Sequence, residues 1–127
     1  MENKLYGFLI DQEIMLDIVK KRLVRFTDES SVNSMTIRVV SLNVTLVRLL
    51  TLLLASNSGM VLSKDDILNN VWEKYDLSSS SQRLWHAIKE LRRKLSAIGL
   101  PGDFILSVRD AGYSINSQHK VTSLFLG

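Results

Sequence analysis

The sequence predicts an α+β fold, with an N-terminal antiparallel β platform, three helices and a C-terminal β-hairpin. Three observations predict it. Through residues 5–40, apolar and polar residues alternate in short runs, the two-residue period of half-buried strands. From Asn43 to Ile98 the apolar residues recur at helical spacing, interrupted by Gly59 and a Ser-rich stretch. After Pro101 the pattern returns to two β-rich runs around Arg109-Asp110-Ala111-Gly112. The 127 residues make one ordinary domain. With 46% hydrophobic and 23% charged residues, the chain is neither disordered nor fibrous, and its core needs no covalent or metal staple.

The platform reads as three or four strands. Residues 6–10 are apolar and partly aromatic, Asp11-Gln12-Glu13 is a turn, and residues 14–16 resume the apolar run. Residues 21–26 alternate basic and apolar. Residues 27–34 are polar and turn-like, and in residues 35–40 Met35, Ile37 and Val39 share one face.

Asn43 is a fitting N-cap for the first helix, with Leu46, Leu49, Leu50, Leu53 and Leu54 as a buried stripe and Gly59 as its stop. This stripe reads as core rather than as a zipper, which needs three or more heptads. Ser63-Lys64-Asp65-Asp66 opens the second helix, with Ser63 as cap and Ile67, Leu68, Val71 and Trp72 as its apolar face. Four consecutive Ser residues precede the third helix, residues 82–98, which Ser80 or Ser81 caps and Gly99 and Pro101 end. Leu84, Ile88, Leu91 and Leu95 point inward. Residues 104–108 and 113–115 form the hairpin, and residues 117–127 read as a tail or linker beyond a domain of residues 1–116. A helix pair followed by a hairpin is the winged variant of helix-turn-helix, placing the platform at about 5–40, the helices at about 43–98 and the wing at about 104–115.

The charge distribution directs attention to the third helix. The chain carries +3, but residues 82–96 hold five Lys and Arg against Glu90 alone. That segment carries +4 and the rest −1, so one helix supplies the whole positive excess. On the rest of its circumference lie Gln82, Arg83, Trp85, His86, Lys89, Arg92, Arg93 and Ser96. Arg and Lys can bond guanine or phosphate and Gln can pair with adenine, while one helix fills the major groove. The same pattern also describes a solvated amphipathic helix with extended Lys and Arg side chains. Trp85 stands off the stripe, where it can pack under the wing or touch DNA. Arg109, at the hairpin tip, can enter a narrow minor groove or stay in solvent beside Asp110.

Other classes of function lack their residues. There is no Cys, and the second His, His119, lies in the tail, so neither thiolate chemistry nor a metal site is expected. No phosphate-binding Gly loop and no base near the Ser run at 78–81 suggests catalysis, and no cofactor is implied. Asp65-Asp66 is a helix start. The N-terminus lacks the apolar run of a signal peptide, and residues 42–55 are too short and carry Arg48, so a soluble segment is expected, any anchor lying beyond Gly127.

Three motifs in order resemble one family. VLSKDDILNNVW is similar to V-V-S-R-[DE]-[EQ]-L-L-x-x-V-W. Ile88 followed by Leu91-Arg92-Arg93-Lys94-Leu95 is similar to I-x-x-L-R-x-K-L, and ILSVRDAGYSI to I-x-T-V-R-G-x-G-Y-x-[LF]. These runs mark the OmpR/PhoB-type winged-helix DNA-binding domains, and with the platform the resemblance spans about residues 5–116. It implies a bacterial transcriptional regulator that binds double-stranded DNA through a recognition helix carrying Gln82, Arg83, His86, Lys89, Arg92 and Arg93. It further implies a wing contact from Arg109 and phosphate contacts at Ser63 and Lys64. The loop 73–80, with Glu73, Lys74, Tyr75 and Asp76, would face RNA polymerase. A second copy on repeated half-sites is expected. Asp110-Ala111 replaces the wing's usual Gly and basic residue, and Glu90 stands where many relatives carry Arg. Only the platform precedes the first helix, which leaves no room for a receiver domain and resembles the ToxR/CadC-like branch, in which a transmembrane or sensory segment can follow and this chain would be the cytoplasmic piece. The competing reading is a winged-helix module that binds protein without reading DNA.

Overall fold

The computed structural model describes residues 4–29, 34–56 and 59–126. In chain order they form β1 (Lys4–Ile10), β2 (Ile14–Asp17), β3 (Arg22–Glu29), β4 (Ser34–Ser41), α1 (Val44–Ala55), β5 (Leu62–Ser63), α2 (Lys64–Val71), a 3-10 turn (Glu73–Tyr75), α3 (Ser81–Ala97), β6 (Ile105–Val108), β7 (Gly112–Ile115) and β8 (Val121–Leu126). The part of the polar turn at 30–33, and the extreme N-terminus weighed for a leader, lie outside the described residues.

The platform is an antiparallel sheet of order β4-β3-β2-β1-β8. Phe8, Leu16 and Leu23 pair across three strands and lie fully buried on the face toward the helices, with Ile10 and Ile14 beside them. β4 alternates as expected, but Ile37 and Val39 face away from the core. Val39 pairs with Val24 and Ile37 with Phe26 on the outer face, where Ile37, Val39 and Phe26 are exposed. The inner face of β4 carries Val40, packed against the core opposite Leu23, and Arg38, whose Nη1 reaches the Ala97 carbonyl at 3.4 Å.

The reading of 117–127 as a tail or linker is corrected by the structure. Val121–Leu126 pairs along β1 as the fifth platform strand, with a register shift between Leu5 and Gly7. A side-chain clasp holds its approach. Asp11 Oδ2 lies 2.7 Å from His119 Nδ1, and Asp11 Oδ1 accepts the Lys120 amide at 2.9 Å. The His119 ring also packs edge-on against Phe104, with centroids 4.9 Å apart. Desolvation pushes the Asp11 carboxyl up, but the His119 bond, the Lys120 amide and the His119 charge outweigh it, and its pKa falls below the ordinary value.

The helices form where the periodicity placed them. Asn43 caps α1 by accepting the Leu46 amide at 2.8 Å, and Leu46, Val47, Leu49, Leu50, Leu53 and Leu54 are buried. Gly59 is not the stop. α1 ends at Ala55, where the Ser56 hydroxyl donates back to the Leu52 carbonyl at 3.1 Å. Ser63 caps α2 through the Asp66 amide and Ser80 caps α3 through the Arg83 amide, each at 3.1 Å. Leu84, Ile88, Leu91 and Leu95 are buried, joining Trp72, Ile98 and Phe104 in one core with the platform.

Two features fix the far ends of the site. The C-terminus of α3 is held by the platform: Arg25 Nη1 donates to the Ile98 carbonyl at 3.1 Å and to the Gly99 carbonyl at 3.3 Å, while its Nη2 pairs with Glu13 at 3.0 Å. Arg25 and Arg38 thus place positive charge where the helix dipole is negative. Gly99 has φ +100°, the left-handed conformation that favours glycine, and a Cβ there would displace the Arg25 guanidinium that holds the end of the helix. The wing is a three-stranded sheet, β5-β7-β6, rather than the expected lone hairpin. Gly112 permits this, because a Cβ on it would lie 1.8 Å from the Leu62 carbonyl oxygen of β5.

Candidate nucleic-acid interface

The buried stripe seats α3 on the core and leaves the other side in solvent. Gln82, Arg83, His86, Lys89 and Arg93 are all exposed there. At 100° per residue, Gln82, His86 and Arg93 lie nearly opposite the stripe. Arg83 and Glu90 turn to the flank facing the other helices. With His86 they line a groove of about 360 Å³ against Asn43, Thr45 and Trp72, at the N-terminus of α1.

The remaining flank faces the wing, and here the structure differs from expectation. Arg92, expected among the DNA contacts, is turned into the junction between α3 and β6. Its Nη2 donates to the Ile105 carbonyl at 2.8 Å and to the Ser107 hydroxyl at 2.9 Å. Arg92 is therefore half-buried and acts as a brace between helix and wing.

Arg93 is exposed but partnered. Its Nε donates to Glu90 Oε2 at 3.0 Å and its Nη2 to Glu90 Oε1 at 2.5 Å, a two-bond ion pair on one face of the helix. The Arg93 hydrogen bond holds the Glu90 carboxyl below its ordinary range, and Glu90 raises the Arg93 pKa in turn. Lys89 carries no such carboxylate partner among the described residues. Its Nζ lies 5.1 Å from the centroid of the Trp85 ring.

At the wing tip, Arg109 is exposed in the turn between β6 and β7, and the Ala111 amide closes that turn on the Val108 carbonyl at 3.0 Å. Asp110 adopts φ 61°, a left-handed conformation that aspartate tolerates, so the missing Gly does not prevent the turn. The tip lies by the start of α2: Asp110 and Ala111 share a groove of about 360 Å³ with Ser63, Lys64 and Asp65. The Ser63 hydroxyl is occupied by the Asp66 amide, and Lys64 is exposed beside the carboxylates of Asp65 and Asp66.

Glu73, Lys74, Tyr75 and Asp76 are all exposed, the first three in the 3-10 turn and Asp76 left-handed at φ 58°. The guanidinium of Arg48 from α1 lies 3.5 Å above the Tyr75 ring and holds this loop against α1. Lys74 and Tyr75 line a separate groove of about 340 Å³ with Arg48 and Ile18, away from Arg83 and His86. Among the described residues, no group of three or more His, Cys, Asp or Glu gathers to hold a metal ion, and no helix is long and apolar enough to cross a membrane.

A helix-turn-helix braced to a three-stranded wing invites comparison with known domains. The family described as "Transcriptional regulatory protein, C terminal" matches residues 38–115. The chain belongs to this family. It is thereby an OmpR/PhoB-type winged helix from a transcriptional regulator, in a family that is not enzymatic. Its fold is similar to that of the DNA-binding domain of E. coli CadC, with a TM-score of 0.70 at 22% identity, over 97% of this chain and 100% of that one. It is also similar to the Klebsiella pneumoniae RstA DNA-binding domain solved in complex with the RstA box, with a TM-score of 0.56 at 17% identity, over 92% and 99% of the two chains. No curated protein sequence matches the chain. The family match covers the three motifs quoted above, and the CadC-like fold extends over the platform as well.

Proposed function

We propose that this domain binds double-stranded DNA at a specific site, as the DNA-reading part of a bacterial transcriptional regulator working in the cytoplasm. The observation that carries the reading is the outward side of α3, where Gln82, His86 and Lys89 stand exposed on a helix locked at both ends. In this reading α3 enters the major groove and these three residues meet base edges. Arg83 lies against the N-terminus of α1, where a helix dipole and a guanidinium together suit a phosphate. Arg93 reaches a phosphate or base only by sharing or leaving Glu90. Arg109 extends into the adjacent minor groove, and Lys64 with the α2 amides meets the backbone between them. Arg92 sets the spacing between helix and wing instead of touching DNA. The loop 73–80 packs against α1 through Tyr75 and offers Glu73, Lys74, Tyr75 and Asp76 to RNA polymerase. One helix and one wing cover one half-site, so two copies occupy repeated half-sites. The RstA domain, crystallised with its DNA box, supports this mode in a protein of the same fold.

Selection of bound duplexes from a random pool tests the reading. It predicts convergence on a recurring half-site, with affinity falling as salt rises at a slope of about −0.9 per phosphate neutralised. A pool that stays random after repeated rounds contradicts it and favours a module that binds protein.

A further inference from the structure

Trp85 takes no part in the reading above, yet it is the largest side chain that α3 leaves in solvent. It is 54% exposed, whereas the other tryptophan, Trp72, is 4% exposed in the core. The sequence left open whether Trp85 packs beneath the wing; the structure leaves half of it uncovered. It follows the buried Leu84 and so lies on the wing flank, where Trp85, Lys89, Arg92, Ser107 and Tyr113 line a groove of about 220 Å³ between α3 and the wing. The indole is positioned by its neighbours: the His86 ring meets it edge-on with centroids 5.0 Å apart, and Lys89 Nζ sits 5.1 Å from its centroid. A large, oriented apolar plane thus stands among the cations of α3.

We propose that Trp85 is a specificity-determining residue, packing its indole against the 5-methyl group of a thymine in the major groove. The inference rests on the reading of α3 as the major-groove helix. Among the four bases only thymine presents a methyl group there. Against a polar base edge at the same place the indole face would strip water without replacing its bonds. Tryptophan buries a large area at the cost of only two side-chain torsions, and His86 and Lys89 stand against its ring. Lys89, on the next turn, fixes the register of the ring by holding a guanine beside it.

A uracil scan of the selected duplex tests this directly, since uracil differs from thymine only by that methyl. Each thymine is replaced singly, and affinities are measured for the wild-type chain and for Trp85→Ala, whose melting temperature verifies folding. The expected result is a loss of about fourfold at one or two positions for the wild type, the worth of one buried methyl-sized group, and no loss there for Trp85→Ala. Indole emission should also shift on binding, and Trp72, already buried, contributes little to that change. Uracil that is neutral everywhere for the wild type, an equal loss in both proteins, unchanged emission, or a selected site with no thymine overturns the role of Trp85 while leaving DNA binding intact. A pool that never converges overturns the DNA reading itself, and this inference with it.

Discussion

At the scale of single residues, Glu90 sets how much of the basic charge on α3 is free. It binds Arg93 through two hydrogen bonds. Glu90→Gln releases the Arg93 guanidinium to a phosphate. The expected outcome is tighter duplex binding and a salt slope steeper by about 0.9, with an unchanged melting temperature at neutral pH, as measured by titrations at several salt concentrations. The pair also has a defined pH window. Folding lowers the Glu90 pKa from 4.5, so whatever the pair adds to stability is complete above that value and disappears only as pH falls below it. Arg93 was legible as a basic residue on the outward face. Its engagement was not, because an acidic residue three positions away on a helix pairs or not according to rotamers that spacing alone leaves open.

At the scale of elements, the junction between α3 and the wing depends on Arg92. Arg92→Ala leaves the Ile105 carbonyl without this partner and unties β6 from the helix, which costs about 1–3 kcal/mol. Thermal melting should show the loss, and amide exchange should locate it in β6. DNA affinity should fall as well, because helix and wing lose their fixed spacing. The sequence showed the helices well and this brace not at all. Caps and a 3.6-residue stripe are local signals, so Asn43, Ser63 and Ser80 marked their helices before any tertiary contact was known. Arg92 follows the buried Leu91 by one position, a flank whose environment is decided by a strand thirteen residues on. β5 was illegible because two residues cannot display a period.

β8 was missed for a related reason. It is an edge strand whose partner, β1, is at the other end of the chain, and its run of Leu124, Phe125 and Leu126 breaks the alternation where the register slips. Its attachment gives a further expected outcome. Asp11→Asn weakens the clasp on His119 and the Lys120 amide, and should expose the amides of β8 to exchange before those of β2. The Asp11 pKa is lowered from 3.8 on folding, so its contribution is present above that pH and is lost as pH falls below it. Urea unfolding of the two proteins across that range checks the window: their stabilities should differ at neutral pH and converge in acid.

At the scale of the whole molecule, the fold is a device for presenting one helix. The platform supplies Arg25 and Arg38 to the C-terminus of α3, the Ser80 cap fixes its N-terminus, and the wing braces its flank through Arg92. With both ends and one flank fixed, the segment that carries the chain's entire positive excess projects as a rigid side rather than a mobile tail. Its net charge and order were legible in the sequence. The rigidity was not, since each restraint comes from a residue distant in the chain. The central claim is that this side of α3 meets DNA, and Lys89→Glu tests it most directly, because Lys89 is exposed and has no carboxylate partner among the described residues. Titration of the selected duplex with wild type and variant, alongside their melting curves, is the measurement. The account predicts that specific binding is lost while the melting temperature stays within a degree or two of wild type, as exposed substitutions leave it. A well-folded Lys89→Glu domain that still binds the selected duplex with wild-type affinity would contradict it.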